Sequence, residues 1–217
     1  GEDQVADANT SSILSIEIAT KGDSTDFGSL TAAKKASYAC ASSTRGIFAG
    51  GLAPADIDNI DFITIATKGN ASDFGDLTDA RRFTAGTSSS TRGVFMGGRD
   101  NPANNAMDVI DYIEIGTLGN ALDFGDWVSN GSVYAGTPTD GVSNNGQTAF
   151  SNQTRGIFVG GYTRNADANS GYGGIDYLTI ATKGNTTSFG EIGKVWYGAN
   201  GGACATSTRG VYNLGNT

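Results

Sequence analysis

One octapeptide design occurs four times in this chain. Thr44-Arg45-Gly46-Ile47-Phe48-Ala49-Gly50-Gly51 is followed by Thr91-Arg92-Gly93-Val94-Phe95-Met96-Gly97-Gly98 and by Thr154-Arg155-Gly156-Ile157-Phe158-Val159-Gly160-Gly161, and a looser copy runs from Thr208-Arg209-Gly210 to Gly215. A unit repeated at this spacing buries its apolar face by stacking on its neighbours, so the chain is restricted to arrays or rings of one supersecondary motif. A second segment accompanies the first. Ile60 to Leu77 has counterparts from Ile13 to Leu30, from Ile110 to Trp127 and from Ile175 to Ile192. Within it Phe62, Thr64 and Ala66 alternate with Ile63, Ile65 and Thr67, the period of two that marks a strand. Lys68-Gly69-Asn70 has turn chemistry, and Ser72 to Leu77 supplies a short return strand.

The octapeptide contributes the other half of each unit. Phe83 to Ser88 reads as a small-residue strand, Ser89 to Gly93 as a turn, and Val94 to Gly97 as a return strand. One repeat is therefore four short antiparallel strands. No segment carries a sustained 3.6-residue apolar period, so almost no helix is expected. Four-stranded units at this spacing are the blade signature of a β-propeller. The pattern resembles the kelch repeat, in which a hydrophobic strand ends in a double glycine and an aromatic marks the outer edge. Here the double glycines are Gly50-Gly51, Gly97-Gly98 and Gly160-Gly161, and the aromatics are Phe27, Phe74, Phe124 and Phe189.

Phase gives the closure. The chain begins with the third and fourth strands of a unit and ends with the first and second. Complete units run over about 35–77, 81–127 and 146–192, and residues 195–214 with 13–30 make a fourth. The expected fold is a single all-β domain, a four-bladed kelch-like propeller closed by N-terminal strands completing the C-terminal blade, with a fragment of a larger ring as the alternative. Such pairing removes the open edges of the array.

Composition narrows the chemistry. Histidine is absent from the 217 residues, which removes the commonest general base and metal ligand together. A net charge of −8 disfavours nucleic acid and anionic membrane as partners. No apolar run approaches the ~20 residues that span a bilayer. The chain opens on Gly rather than Met, as expected of a processed or partial product. Cys40 and Cys204 occupy equivalent positions five residues before a repeat arginine. They read as small buried hydrophobes on inner strands, and a disulfide would need Cα atoms within about 7 Å.

Spacing sorts the loops onto two ends. From the Asp-Phe-Gly phenylalanine to the next Arg-Gly arginine the distance is 18 residues in the first two units and 20 in the last. It is 31 from Phe124 to Arg155, the excess lying in Val128 to Asn145. The segments after the double glycines vary as well: Leu52 to Asp58, Arg99 to Asp108 and Tyr162 to Gly174. In a meander those loops leave from the same end as the unit-to-unit crossovers, and the short Arg-Gly and Lys-Gly-Asn turns from the other. Binding residues are usually displayed on loops of a rigid scaffold, so the varied end is the candidate. Its ligand-binding candidates are Asp100, Asn101, Asn104, Asn105, Arg164 and Asp167, with Tyr134, Tyr162 and Tyr172 as stacking platforms. The Asp/Asn-rich loop from Arg99 to Asn105 could supply oxygen ligands to calcium, although it lacks the EF-hand spacing; no other cofactor and no dedicated metal site is expected.

Asp73-Phe74-Gly75 and its copies at Asp26 and Asp123 read as scaffold, because no phosphate loop or other kinase element accompanies them. Asp26, Asp73 and Asp123 are expected to pair with Arg45, Arg92 and Arg155 or to cap backbone groups; Arg209 faces Ser188 instead. No nucleophile elbow or catalytic pairing is evident, so no catalytic residue is assigned.

The wording Ile-Asp-Tyr/Phe-Ile-x-Ile, continuing to Gly-Asn-Ala-x-Asp-Phe-Gly-Asp, is carried by Ile60 to Leu77 and Ile110 to Trp127. It resembles tandem repeats of virion structural and tail-fibre-like proteins of marine bacteriophages. The resemblance implies a virion or extracellular setting and a non-enzymatic module that contacts other virion proteins or a host-surface glycan. A purely architectural virion subunit and a carbohydrate-active enzyme are the alternative readings.

Overall fold

The computed structural model describes residues 9–100, 107–128, 147–165, 168–171, 173–193 and 202–213. Every regular element among them is a strand, as the period of two predicts. Three four-stranded antiparallel sheets follow one another. Sheet I comprises β3 (Tyr38–Ala41), β4 (Arg45–Ala49), β5 (Asn59–Thr64) and β6 (Ser72–Asp76). Sheet II comprises β7 (Ala85–Ser88), β8 (Arg92–Met96), β9 (Val109–Glu114) and β10 (Leu122–Asp126). Sheet III pairs β11 (Thr148–Ser151), β12 (Arg155–Val159), β15 (Gly174–Thr179) and β16 (Thr187–Glu191) in that order, with the hairpin β13 (Tyr162–Asn165) and β14 (Ala168–Gly171) inserted in its middle loop. The termini contribute the pairs β1 (Thr10–Ser15) with β2 (Thr25–Lys34), and β17 (Ala203–Ala205) with β18 (Gly210–Tyr212). No ladder joins β1 to β18, so each stands as an edge strand.

The sheets stack in chain order through one repeated set of bonds. Gly69 N donates to Phe27 O at 2.9 Å, Gly119 N to Phe74 O at 2.9 Å, and Gly184 N to Phe124 O at 2.8 Å. The following asparagines Asn70, Asn120 and Asn185 accept from the amides of Ser29, Asp76 and Asp126. This contact requires glycine on the fourth strand. Gly75 lies at a register shift with φ +144°, and a Cβ there would stand 2.5 Å from the Gly119 carbonyl. The double glycines have a different need: Gly50, Gly97 and Gly160 take φ of 60°, 66° and 63°, the left-handed turn that ends the second strand.

Apolar residues lie between sheets. Ile47, Ala49, Ile60 and Phe74 of sheet I are covered by Phe95, Ile113, Ile115 and Ala121 of sheet II. Val94, Met96, Ile110 and Phe124 of sheet II are covered by Phe158, Leu178 and Ile180 of sheet III. Ile13 and Phe27 of the N-terminal pair pack on Phe48 and Ile63 of sheet I. The layers also hold buried charge. Asp61, Asp111 and Asp176 occupy one repeat position on the third strand, each essentially sealed from solvent. Lys34 Nζ lies 3.1 Å from Asp61 Oδ2, although its directed hydrogen bond goes to Asn59 Oδ1. Arg81 Nη2 donates to Asp111 Oδ2 at 2.7 Å, and Trp127 Nε1 to Asp176 Oδ2 at 2.8 Å.

Candidate binding face

The two ends of the strands differ in construction. At one end, each Arg-Gly turn is closed by its own side chains: Ser42 Oγ, Ser89 Oγ, Asn152 Oδ1 and Thr206 Oγ1 accept from the amides of Arg45, Arg92, Arg155 and Arg209. The arginines then reach forward. Arg45 Nη1 donates to Ile115 O at 2.7 Å, and Arg92 Nη1 to Ile180 O at 2.9 Å. Each guanidinium also lies over the third-strand aromatic of its own sheet, Arg45 on Phe62, Arg92 on Tyr112 and Arg155 on Tyr177, at 4.9, 4.6 and 5.0 Å. Those rings meet Phe74, Phe124 and Phe189 edge-on.

This corrects the expected arginine–aspartate pairing. Among the described residues the carboxylate partner of Arg92 is Glu114, with Nη2 to Oε1 at 2.6 Å, and Arg45 makes no ion pair. Asp73 lies across the ladder from Asp61 and accepts from Asn59 Nδ2. It thus sits on the opposite face of the sheet from Arg45, which shares a face with Ile47 and Phe62. The acids Asp58, Asp73 and Asp76 crowd the fourth strand, and the Asp76 carboxyl is raised above its ordinary range by partial desolvation and by those two neighbours.

At the other end the middle loops and the crossovers are stitched together. Lys35 and Leu52 exchange both backbone bonds at 3.0 and 2.7 Å, Arg82 and Arg99 pair likewise, and Gly51 N donates to Arg81 O. Arg82 Nη1 holds Asp56 Oδ1 at 2.6 Å, and Arg99 lies 4.6 Å over the Phe83 ring. Phe83 and its counterpart Ala36 carry φ of 59° and 55°, a conformation uncommon outside glycine and seen here at the same step of two crossovers. Of the sequence candidates, Asp100 is half-buried at this end, and Tyr162 and Arg164 stand on β13, which leaves the double glycine Gly160-Gly161. Asn101, Asn104, Asn105, Tyr134, Asp167 and Tyr172 lie outside the described residues, as does most of the loop proposed for calcium. Asp56, Arg82, Phe83 and Arg99 were not singled out by sequence, since each is ordinary alone and they meet only through crossover pairing.

The two thiols differ as well. Cys40 is buried against Gly93, 2.8 Å from where a Cβ would stand, and burial pushes its pKa up to about 12. Cys204 is exposed, contrary to the expectation that both are buried, because no further sheet among the described residues covers it. Both are unpaired. No protein-family model matches the chain, and no curated protein is significantly similar to it.

Proposed function

We propose that this chain is a non-enzymatic, four-bladed propeller of a virus particle or fibre that contacts host-surface glycans through its varied end. The fourth blade would be β17, β18, β1 and β2, with β18 pairing β1. What supports closure is that the two ends of the array lack what the other supplies. Ile16 and Ile18 are 65% and 97% exposed, whereas their counterparts Ile63, Ile113, Ile115, Leu178 and Ile180 are buried and Ile65 is 45% exposed. At the far end Phe189 is 57% exposed, whereas Phe27, Phe74 and Phe124 are buried. A cavity of about 300 Å³ lined by Phe150, Arg155, Ile157, Ile175, Phe189 and Tyr212 adjoins that ring. Among the described residues Gly190 meets nothing within 4 Å where Gly28, Gly75 and Gly125 each meet the next turn, and the turn at Gly22 meets nothing either.

Sequence at this seam changes too: Leu14 takes the repeat position of Asp61, Asp111 and Asp176, an apolar residue in place of the buried acid. Unpaired edges and exposed isoleucines are a liability that closure removes.

The binding part of the reading rests on one observation: the chain's length variation gathers at the end opposite the repeated arginine turns. Polar side chains with aromatic platforms there suit hydroxyl-rich ligands. Glycan-array binding by the intact chain, lowered at least about tenfold by Tyr162→Ala or Arg164→Ala without a change in thermal unfolding, is the expected result. Absence of glycan binding, with a virion protein covering this end, would turn the reading to an architectural subunit.

A further inference from the structure

Between successive sheets, at the uniform end, the repeat creates a groove, and one of these grooves is built differently. Between sheets II and III it is bridged: Gln153 Oε1 accepts from Ser90 N at 2.8 Å, and Arg92 is fully engaged by Glu114 and by the carbonyls of Ile180 and Ala181. Between sheets I and II both devices are missing. Ser90 stands at the repeat position of Gln153 and is too short to cross. Thr64 stands across from Arg45 where Glu114 stands across from Arg92. A cavity of about 400 Å³ remains, lined by Ser42, Thr44, Arg45, Ser90, Thr91 and Glu114 among others.

Arg45 is the informative residue. It is half-buried, anchored from behind by the Phe62 ring, and fixed by one bond from Nη1 to Ile115 O. Its Nε and Nη2 donors bond to no protein atom among the described residues and are open to a ligand. Glu114 on the facing wall is already neutralised by Arg92 through two donors to Oε1. Among the described residues lining the groove Arg45 supplies the positive charge, and Glu114, the acid beside it, is held by Arg92, which lies outside the groove. Hydroxyls of Ser42, Thr44, Ser90 and Thr91 surround that charge.

We propose that this groove binds an acidic sugar: its oxyanion bridges Nε and Nη2 of Arg45, and its ring hydroxyls bond the serine and threonine hydroxyls. A planar guanidinium matches a carboxylate or sulfate through two parallel donors, and the volume suits one or two sugar rings. The site lies at the end opposite the varied loops, so it goes beyond the function proposed above and stands or falls separately from it.

The test titrates the intact chain with glucuronate, glucose 6-sulfate and glucose in separate arms, read by the amide signals of Thr44, Ser90 and Thr91 and by the Arg45 Nε–H. Either or both anionic sugars should shift these signals, the responding arm identifying carboxylate or sulfate, while glucose leaves them unmoved. Arg45→Gln should weaken binding roughly tenfold to a hundredfold. Ser90→Gln copies the bridge that the chain itself uses at the next boundary; it should abolish binding with unfolding unchanged, and keeps the test open if the arginine variant folds poorly. Silent signals with both anions, an equal response to glucose, or binding indifferent to Ser90→Gln would overturn the proposal. Loss of glycan binding in the Tyr162 or Arg164 variants alone would not bear on it.

Discussion

Asp111→Ala should destabilise the chain by about 3–5 kcal/mol in denaturant unfolding, the range for breaking a buried pair by removing one partner. Asp111 is fully buried and accepts from Arg81 Nη2 at 2.7 Å, from Thr78 Oγ1 at 2.7 Å and from Thr78 N at 3.1 Å. Removing it leaves the Arg81 guanidinium, itself inaccessible, with the Asp79 carbonyl at 3.4 Å as its remaining Nη contact. The energy at stake is the desolvation of that cation rather than the worth of the pair. The double variant Arg81→Leu with Asp111→Leu should therefore recover most of the loss, because apolar pairs of similar volume commonly replace buried ion pairs without penalty. A single-variant loss below about 1 kcal/mol would mean that the guanidinium finds water, and would contradict the sealed layer described between sheets I and II.

Gly75→Ala should be nearly as severe, roughly 2–5 kcal/mol, from two additive causes. Its φ of +144° suits few side chains, and the new methyl would stand 2.5 Å from the backbone carbonyl of Gly119, which the Phe74–Gly119 bond holds in place. Gly190→Ala is the informative companion. Its φ is +159° and nothing among the described residues lies within 4 Å of the added methyl, so in an open array a conformational cost remains without the clash. In a closed ring the turn at Gly22 occupies that space, and Gly190→Ala should then match Gly75→Ala. Equal losses support closure; a loss for Gly190→Ala several-fold smaller speaks against it.

The strands and their grouping were legible because isoleucine and aromatic residues alternate with period two and glycine pairs terminate the second strand at φ near 60°. The sorting of loops to two ends was legible too, since a meander leaves little freedom: Lys35 must meet Leu52, and Arg82 must meet Arg99. The role of the arginines was not. Arg45 bonds a backbone carbonyl 70 residues away, and a carbonyl leaves no trace in residue identity. Asp73, the repeat aspartate of its own sheet, lies on the opposite face, which the one-residue register shift near Asp61 and Gly75 obscures. The buried charges did leave a trace: Asp61, Asp111 and Asp176 recur at one position, and Lys34 and Arg81 at another. Charged residues in strands and crossovers read by default as solvated, which hides the burial that this recurrence marks. Cys204 shows the complementary limit, because its burial depends on whether a distant sheet closes over it.

That dependence supplies the most direct test of ring closure. By the repeat, Cys40 packs on Gly93, Thr87 on Gly156 and Phe150 on Gly210, so Cys204 should pack on Gly46 once β18 pairs β1. Native protein, kept dilute and monomeric, is treated with a thiol reagent at mildly alkaline pH and the label is mapped by mass. Cys40 should stay unreactive in any case, its thiol held protonated by burial with a pKa of about 12. A closed four-bladed ring protects both thiols until the chain is unfolded. Immediate reaction of one thiol per chain, mapped to Cys204, would contradict closure.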